Sequence, residues 1–102
     1  IRTRQERRCL LELLPKVAVL RAIAAVRSVV PLINIGQVLT LRGFIASTAT
    51  FVLHSQALDS ASELLVEAFG SETGRHARSA IGVSALPSGG LAEVELVVAV
   101  RA

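Results

Sequence analysis

The pattern of apolar and polar positions predicts a first helix at residues 16–30 (KVAVLRAIAAVRSVV). Ala and Leu are frequent in this stretch, and its three basic side chains are spaced so that one apolar face remains. Pro15 suits the first helical position, because the N–H that proline lacks is not needed there, and Pro31 ends the helix. We therefore expect residues 10–14 to belong to a separate element.

A second helix is predicted at residues 61–70. Ser60 and Glu63 have the spacing of a capping box, and Gly70 can adopt the left-handed conformation that ends a helix. The preceding residues 48–58 (TATFVLHSQAL) are typical of a loop. The apolar positions recur with helical spacing and form one stripe: Ala61, Leu64, Leu65, Ala68 and Phe69.

The first predicted strand covers residues 37–47 (QVLTLRGFIAS), which are partly β-branched and partly alternating. The alternation places Val38, Thr40 and Arg42 on one side of the strand. Leu39 and Leu41 fall on the other side, and Gly43 is the expected position of a bulge.

Two more strands are predicted, at residues 79–85 and 91–101. The LPSGG sequence between them favours a turn, so we expect these two strands to form a hairpin. The order helix, strand, helix, strand, strand predicts an α+β fold, with an antiparallel or mixed sheet covered on one face by two helices.

Composition limits the size of the core. The chain has 102 residues, of which 52% are hydrophobic and 3% aromatic, so we expect one domain with a core of Val, Leu, Ile and Ala. Apolar surface that such a small core leaves uncovered favours self-association.

The net charge of +3 lies at the start of the chain. Residues 1–8 hold four of the eleven basic residues and one of the eight acidic residues, which leaves seven of each in the remainder. A neutral body with a basic tail does not predict a nucleic-acid-binding face. Any RNA affinity is expected in residues 1–8, weak and sensitive to salt.

The sequence gives no motif for a cofactor or a metal, and we expect neither. The single cysteine, Cys9, rules out an internal disulfide and is expected to be an inert buried thiol. Charged residues interrupt the apolar stretches, and the uncharged run at residues 28–41 is too short to span a bilayer. These features predict a protein of the cytoplasm without a membrane partner.

The candidate site is the strand that follows GRHA (residues 74–77). Arg78 shares a face with Ala80 and Gly82, whose small size leaves room for a carboxylate beside the guanidinium. Glu93 and Glu95 share one face of the last strand, where a carboxylate is available for acid–base work. The alternatives are a structural ion pair for Arg78, solvent exposure for both glutamates, and a structural or solvent-facing role for His54 and His76.

From Gln37 to Val100, and more loosely in the first helix, the sequence resembles the reactive intermediate deaminase family, RidA/YjgF. The stretches that carry the resemblance are LRGFIAST (41–48), ASELLVEAFG (61–70), GRHARSAIGV (74–83), ALP (85–87) and EVE (93–95). The GRHARSAIG version resembles a less characterised branch of that family.

The resemblance implies a chorismate-mutase-like homotrimer, with the sheets forming an inner barrel and ligand clefts between subunits. It implies that Arg78 binds the substrate carboxylate, beside Ala80 and Gly82, and that Glu93 orients the attacking water. The implied reaction is hydrolysis of enamines and imines to 2-keto acids and ammonia. Two alternatives stay open: a non-catalytic trimer that binds small carboxylates or a protein partner, and an RNA-binding or ribonucleolytic protein, the role behind the older name endoribonuclease L-PSP.

The sequence departs from the family pattern in three ways. Ala80 stands where better-studied enzymes often carry Cys, the chain contains no Tyr, and residues 1–16 do not resemble the family's N-terminal strands. We therefore divide the chain into a basic, unassigned segment at residues 1–16 and a RidA-like domain at residues 17–102, which is expected to lack those strands.

Overall fold

The computed structural model describes residues 4–101, with side chains from Leu11 onward. The described residues form an α+β fold in which two helices and three strands follow one another in the predicted order. The side chain of Cys9 and those of the basic segment at residues 1–8 lie outside the described part. The elements are α1 (Arg4–Arg27), β1 (Ile35–Ala46), α2 (His54–Phe69), β2 (Ala77–Val83) and β3 (Ala92–Val100), with short 3₁₀ turns at Leu32–Asn34 and Pro87–Gly89.

The sheet is mixed, with β1 in the centre. β2 pairs with β1 in parallel, and β3 pairs with the other edge of β1 in the antiparallel sense. The predicted hairpin of β2 and β3 is therefore wrong. The LPSGG segment does reverse the chain, but β3 then pairs with the edge of β1 that lies away from β2. Helix α2 makes the crossover that two parallel neighbours require.

The hydrophobic core lies between the sheet and the two helices, and it is aliphatic, as the composition predicted. Gly43 allows α2 to approach β1 closely, because a Cβ atom at this position would lie 2.4 Å from Cδ1 of Leu58. The buried residues that form the central cluster are Val19, Val38, Leu41, Leu58, Ala61 and Leu65.

The irregularities of β1 lie earlier in the strand than Gly43, where the bulge was predicted. The register with β3 shifts between Ile35 and Gln37 and again between Val38 and Thr40. An extra residue reverses the alternation of side chains. Val38 is therefore buried together with Leu41, and the predicted grouping of Val38 with Arg42 is wrong.

Both helices begin earlier than predicted. Helix α1 continues through Pro15, which is buried inside it, and ends at Arg27. Pro15 removes one helical hydrogen bond, whereas burial of its ring contributes packing against the core. The division of the chain between residues 16 and 17 falls within this helix and stays a prediction for the organisation of the chain.

Helix α2 begins at His54, six positions before the predicted capping residue. Ser60 does not cap it; its hydroxyl donates instead to the carbonyl oxygen of Glu12 in α1, at 2.6 Å. The buried Ala57 and Leu58 extend the apolar stripe toward the N-terminus and explain the early start. Helix α2 ends at Phe69, so the predicted stop at Gly70 is confirmed; this glycine has φ +91° and ψ 165°, which is a positive φ but not the left-handed helical conformation that was predicted.

Candidate functional site

Arg78 lies near the start of β2, on the sheet face that α2 covers. Its Nη1 atom lies 3.0 Å from Oδ1 of Asp59 and 3.2 Å from Oγ of Ser62, and its Nη2 atom donates to the carbonyl oxygen of Ser55 at 3.3 Å. The three partners occupy successive turns of one side of α2. Arg78 therefore forms the ion pair that the structural alternative predicted, and α2 fixes the orientation of its guanidinium.

The guanidinium keeps part of its donor capacity. A guanidinium has five N–H bonds, and the contacts above use two on Nη1 and one on Nη2. Within the described part of the chain, the Nε–H and one Nη2–H have no acceptor. About a quarter of the side-chain surface is exposed (26%), so an anion can reach the group from solvent.

A chain of hydrogen bonds joins Arg78 to His76. Nδ1 of His76 lies 2.7 Å from the carbonyl oxygen of Gly74, and Nε2 lies 2.9 Å from Oγ of Ser62. Because a carbonyl oxygen only accepts, Nδ1 carries the proton, and in the neutral ring Nε2 accepts from Ser62. Ser62 thus accepts from Arg78 and donates to His76, a structural role of the kind predicted for this histidine.

Ala80 and Gly82 follow Arg78 on the same face, and side chains of the core and of the segment from Ser47 to His54 lie close to them. Ala80 packs against the hydrophobic core. A Cβ atom at Gly82 would lie 2.4 Å from Nε2 of His54 and 3.0 Å from Oγ of Ser47. The small residues are therefore needed for packing in the single chain, and their contact with a substrate stays a prediction.

Glu93 lies on the opposite face of the sheet. It is exposed and pairs in register with Phe44, whereas its neighbour Val94 packs against the core. Neither Glu93 nor Glu95 makes an ion pair or side-chain hydrogen bond with another described residue. Strand β1 separates Glu93 from Arg78, so one chain does not bring the two predicted site residues together.

The sheet face that carries Glu93 is left uncovered by both described helices, and we call it the open face. It combines partly exposed apolar side chains, among them Ile81 (40%) and Val97 (43%), with charged ones. Arg42 and Glu95 are directly opposite each other in the register of β1 and β3. This face is an amphipathic surface in the single chain.

The described residues give no support for a metal site or for a membrane-spanning helix. They contain no group of three His, Cys, Asp or Glu side chains that could hold a metal ion. Among them there is also no helix with the length and apolar character to cross a membrane.

Comparison with known proteins identifies relatives of similar fold. No protein-family model matches the chain. A 65-residue match, 40% identical, links it to protein TCP17 of Trypanosoma cruzi and covers 64% of this chain and 41% of the relative.

Two solved bacterial structures match over most of the chain. The protein Atu1372 of Agrobacterium tumefaciens, described as of unknown function, has a TM-score of 0.88 at 29% identity and is covered over 61% of its length. A protein of Shewanella oneidensis MR-1, described as a "putative endoribonuclease", has a TM-score of 0.76 at 35% identity and is covered over 54%. The chain thus spans roughly half the length of these relatives. It shares their fold, which fits the expected chorismate-mutase-like architecture.

Proposed function

We propose that this chain belongs to a RidA/YjgF-type protein that hydrolyses reactive 2-imino acids to 2-keto acids and ammonia, in clefts between the subunits of a homotrimer. The sequence segments around Arg78 and Glu93 and the similarity to the Shewanella structure support this proposal. The observation that carries it is the guanidinium of Arg78, which is fixed by α2 and retains two free N–H bonds among the described residues.

Arg78 is suited to bind the carboxylate of the substrate. A planar guanidinium forms two parallel hydrogen bonds with a carboxylate, and the Asp59 and Ser62 contacts already hold it in one orientation. The ordering cost of binding is therefore reduced. Asp59 compensates only part of the positive charge, because its own side chain is 57% exposed and its field is screened by water.

Glu93 is suited to act in a cleft between copies of the chain. Because it faces away from Arg78 in one chain, we infer that Glu93 of one protomer meets the carboxylate held by Arg78 of another. In this arrangement Glu93 accepts a proton from the water that adds to the imine carbon. Glu93 passes this proton to the nitrogen, which gives a carbinolamine. The proton of the new hydroxyl group then moves to the nitrogen as the carbon–nitrogen bond breaks, so that ammonia leaves and the carbonyl group of the 2-keto acid forms.

The proposal is tested with the full-length protein and imines generated in situ by an amino-acid oxidase. Release of ammonia and keto acid is expected to accelerate with the native protein. Glu93→Gln should lower turnover by at least about 100-fold while leaving keto-acid binding unchanged, because it removes a base and keeps the shape. Glu95→Gln, on the same strand and face, is the matched control. Keto-acid binding without any turnover by the native protein would instead favour the non-catalytic carboxylate-binding alternative.

The name of the Shewanella protein favours a second candidate, a ribonuclease. The test is cleavage of a labelled single-stranded RNA at several salt concentrations, with and without residues 1–8. If RNA binding is lost when residues 1–8 are deleted and weakens steeply as salt is added, the affinity comes from the basic tail alone. Cleavage that persists after the deletion would support the ribonuclease.

A further inference from the structure

A serine and a histidine meet in a cleft at the other end of the face that carries Arg78. Oγ of Ser47, just after β1, lies 3.2 Å from Nε2 of His54, the first residue of α2. Both side chains line an open cleft of about 400 Å³, together with Phe51, Gly82 and Val83. The cleft thus places one hydroxyl–imidazole pair beside an aromatic ring and further small and polar residues, among them Thr48 and Ser84.

The surroundings hold the pair together. The rings of Phe51 and His54 meet edge to face, with centroids 4.9 Å apart, which limits rotation of the imidazole. Gly82 leaves the space that the pair occupies, because a Cβ atom there would lie 2.4 Å from Nε2 of His54. Nδ1 of His54 has no hydrogen-bond partner in the described part of the chain, so the ring is free to carry its proton there.

We propose that Ser47 and His54 form a nucleophile–base pair that accepts acyl groups from small esters or thioesters of apolar acids. The contact joins the atoms that such chemistry uses, a hydroxyl oxygen and a ring nitrogen within hydrogen-bond reach. Phe51 provides an apolar wall for the acyl chain, and Val83 also lines the cleft. The pair does not include Arg78 or Glu93, and Gly82 is the one residue of the cleft that was also predicted to line the deaminase site.

The reaction balances without a cofactor. Oγ of Ser47 bonds to the ester carbonyl carbon while Nε2 of His54 takes the hydroxyl proton. The bond from that carbon to the leaving oxygen or sulfur breaks, and His54 returns the proton to the leaving group. Water then attacks the acyl-serine, His54 again accepts a proton, and the free acid and Ser47 are regenerated. No carboxylate orients His54 among the described residues, so an activated ester is the appropriate probe.

The experiment treats the full-length protein with p-nitrophenyl acetate and measures both nitrophenolate release and the site of acetylation by peptide mass spectrometry. We expect an acetyl group on Ser47 and a rate that falls at least about 10-fold in Ser47→Ala and in His54→Gln. Ser84→Ala, which removes another hydroxyl from the same cleft, should retain the native rate.

Gly82→Ala provides an independent variant, because the added methyl group forces the two side chains apart and should lower the rate as strongly as His54→Gln. Circular dichroism spectra and melting temperatures of all variants separate loss of folding from loss of reactivity. A native rate in Ser47→Ala, or acetylation confined to Lys16, the only lysine in the sequence, would overturn the proposal.

Discussion

At the scale of single residues, the sequence identifies Arg78 as a fixed cation on a strand face but does not identify what fixes it. Its partners Asp59 and Ser62 fall outside the apolar stripe of α2, and the expected capping box at Ser60 placed Asp59 before the helix. A helix that starts at His54 aligns both residues with Arg78. The sequence signal that could have identified these partners is a pair of polar residues at helical spacing beside the apolar stripe.

The choice between Arg78 and Arg75 is directly testable. Arg78→Lys keeps the charge but loses the planar fork, and a bidentate contact is worth about 2–3 kcal/mol, so affinity for 2-oxobutyrate should fall about 30-fold. Arg75→Ala removes an exposed side chain and should change affinity little. Calorimetric titration measures both.

Stability measurements distinguish this result from a structural effect. The Arg78–Asp59 pair is partly exposed, so its loss should cost about 1 kcal/mol or less in unfolding free energy. If Arg78→Lys binds the keto acid as tightly as the native protein, Arg78 acts only as a structural ion-pair partner.

At the scale of elements, local signals predict where an element ends better than where it begins or what it pairs with. Gly70 ends α2 through its own backbone conformation, which the residue type reveals. The start of α2 has no side-chain cap at Leu53 and depends on burial of Ala57 and Leu58 against other elements. Likewise, LPSGG specifies a reversal of the chain, whereas the available edge of β1 decides where β3 pairs.

The contact between β1 and α2 gives a prediction for stability. In Gly43→Ala the new methyl group would meet both methyl carbons of Leu58, which is fully buried within the core. Such overpacking should lower the free energy of unfolding by about 1–3 kcal/mol, measured by urea denaturation.

Gly36→Ala is the control within the same strand. Its methyl group would meet Cγ of the flexible, exposed Arg101 at 3.2 Å, so the loss should be clearly smaller. Equal losses in the two variants would contradict the packing argument for Gly43. Partial recovery in Gly43→Ala combined with Leu58→Val would support it.

At the scale of the whole molecule, the sequence predicts the composition of the layers, and the structure adds which face stays open. One sheet face packs against the helices, and the other presents Ile81 and Val97 among charged side chains. The bulges of β1 decide which residues belong to which face, and no residue pattern located them correctly. The open face thus carries part of the aliphatic side chains that the small core leaves uncovered.

The open face is the surface on which we expect three copies of the chain to assemble. A cyclic trimer would bury the apolar side chains of this face and allow Glu93 of one copy to approach Arg78 of another. Val97→Glu adds a third carboxylate to the row of Glu93 and Glu95, so desolvation and mutual repulsion should dissociate the assembly. Val52→Glu, at an apolar side chain that is 81% exposed in the loop before α2, is the matched control.

Light scattering at micromolar concentration should give a trimer for the native protein and the control, and a monomer for Val97→Glu. A native monomer would remove the cleft between subunits and the proposed deaminase site with it, whereas a trimer that survives Val97→Glu would place the interface on another surface.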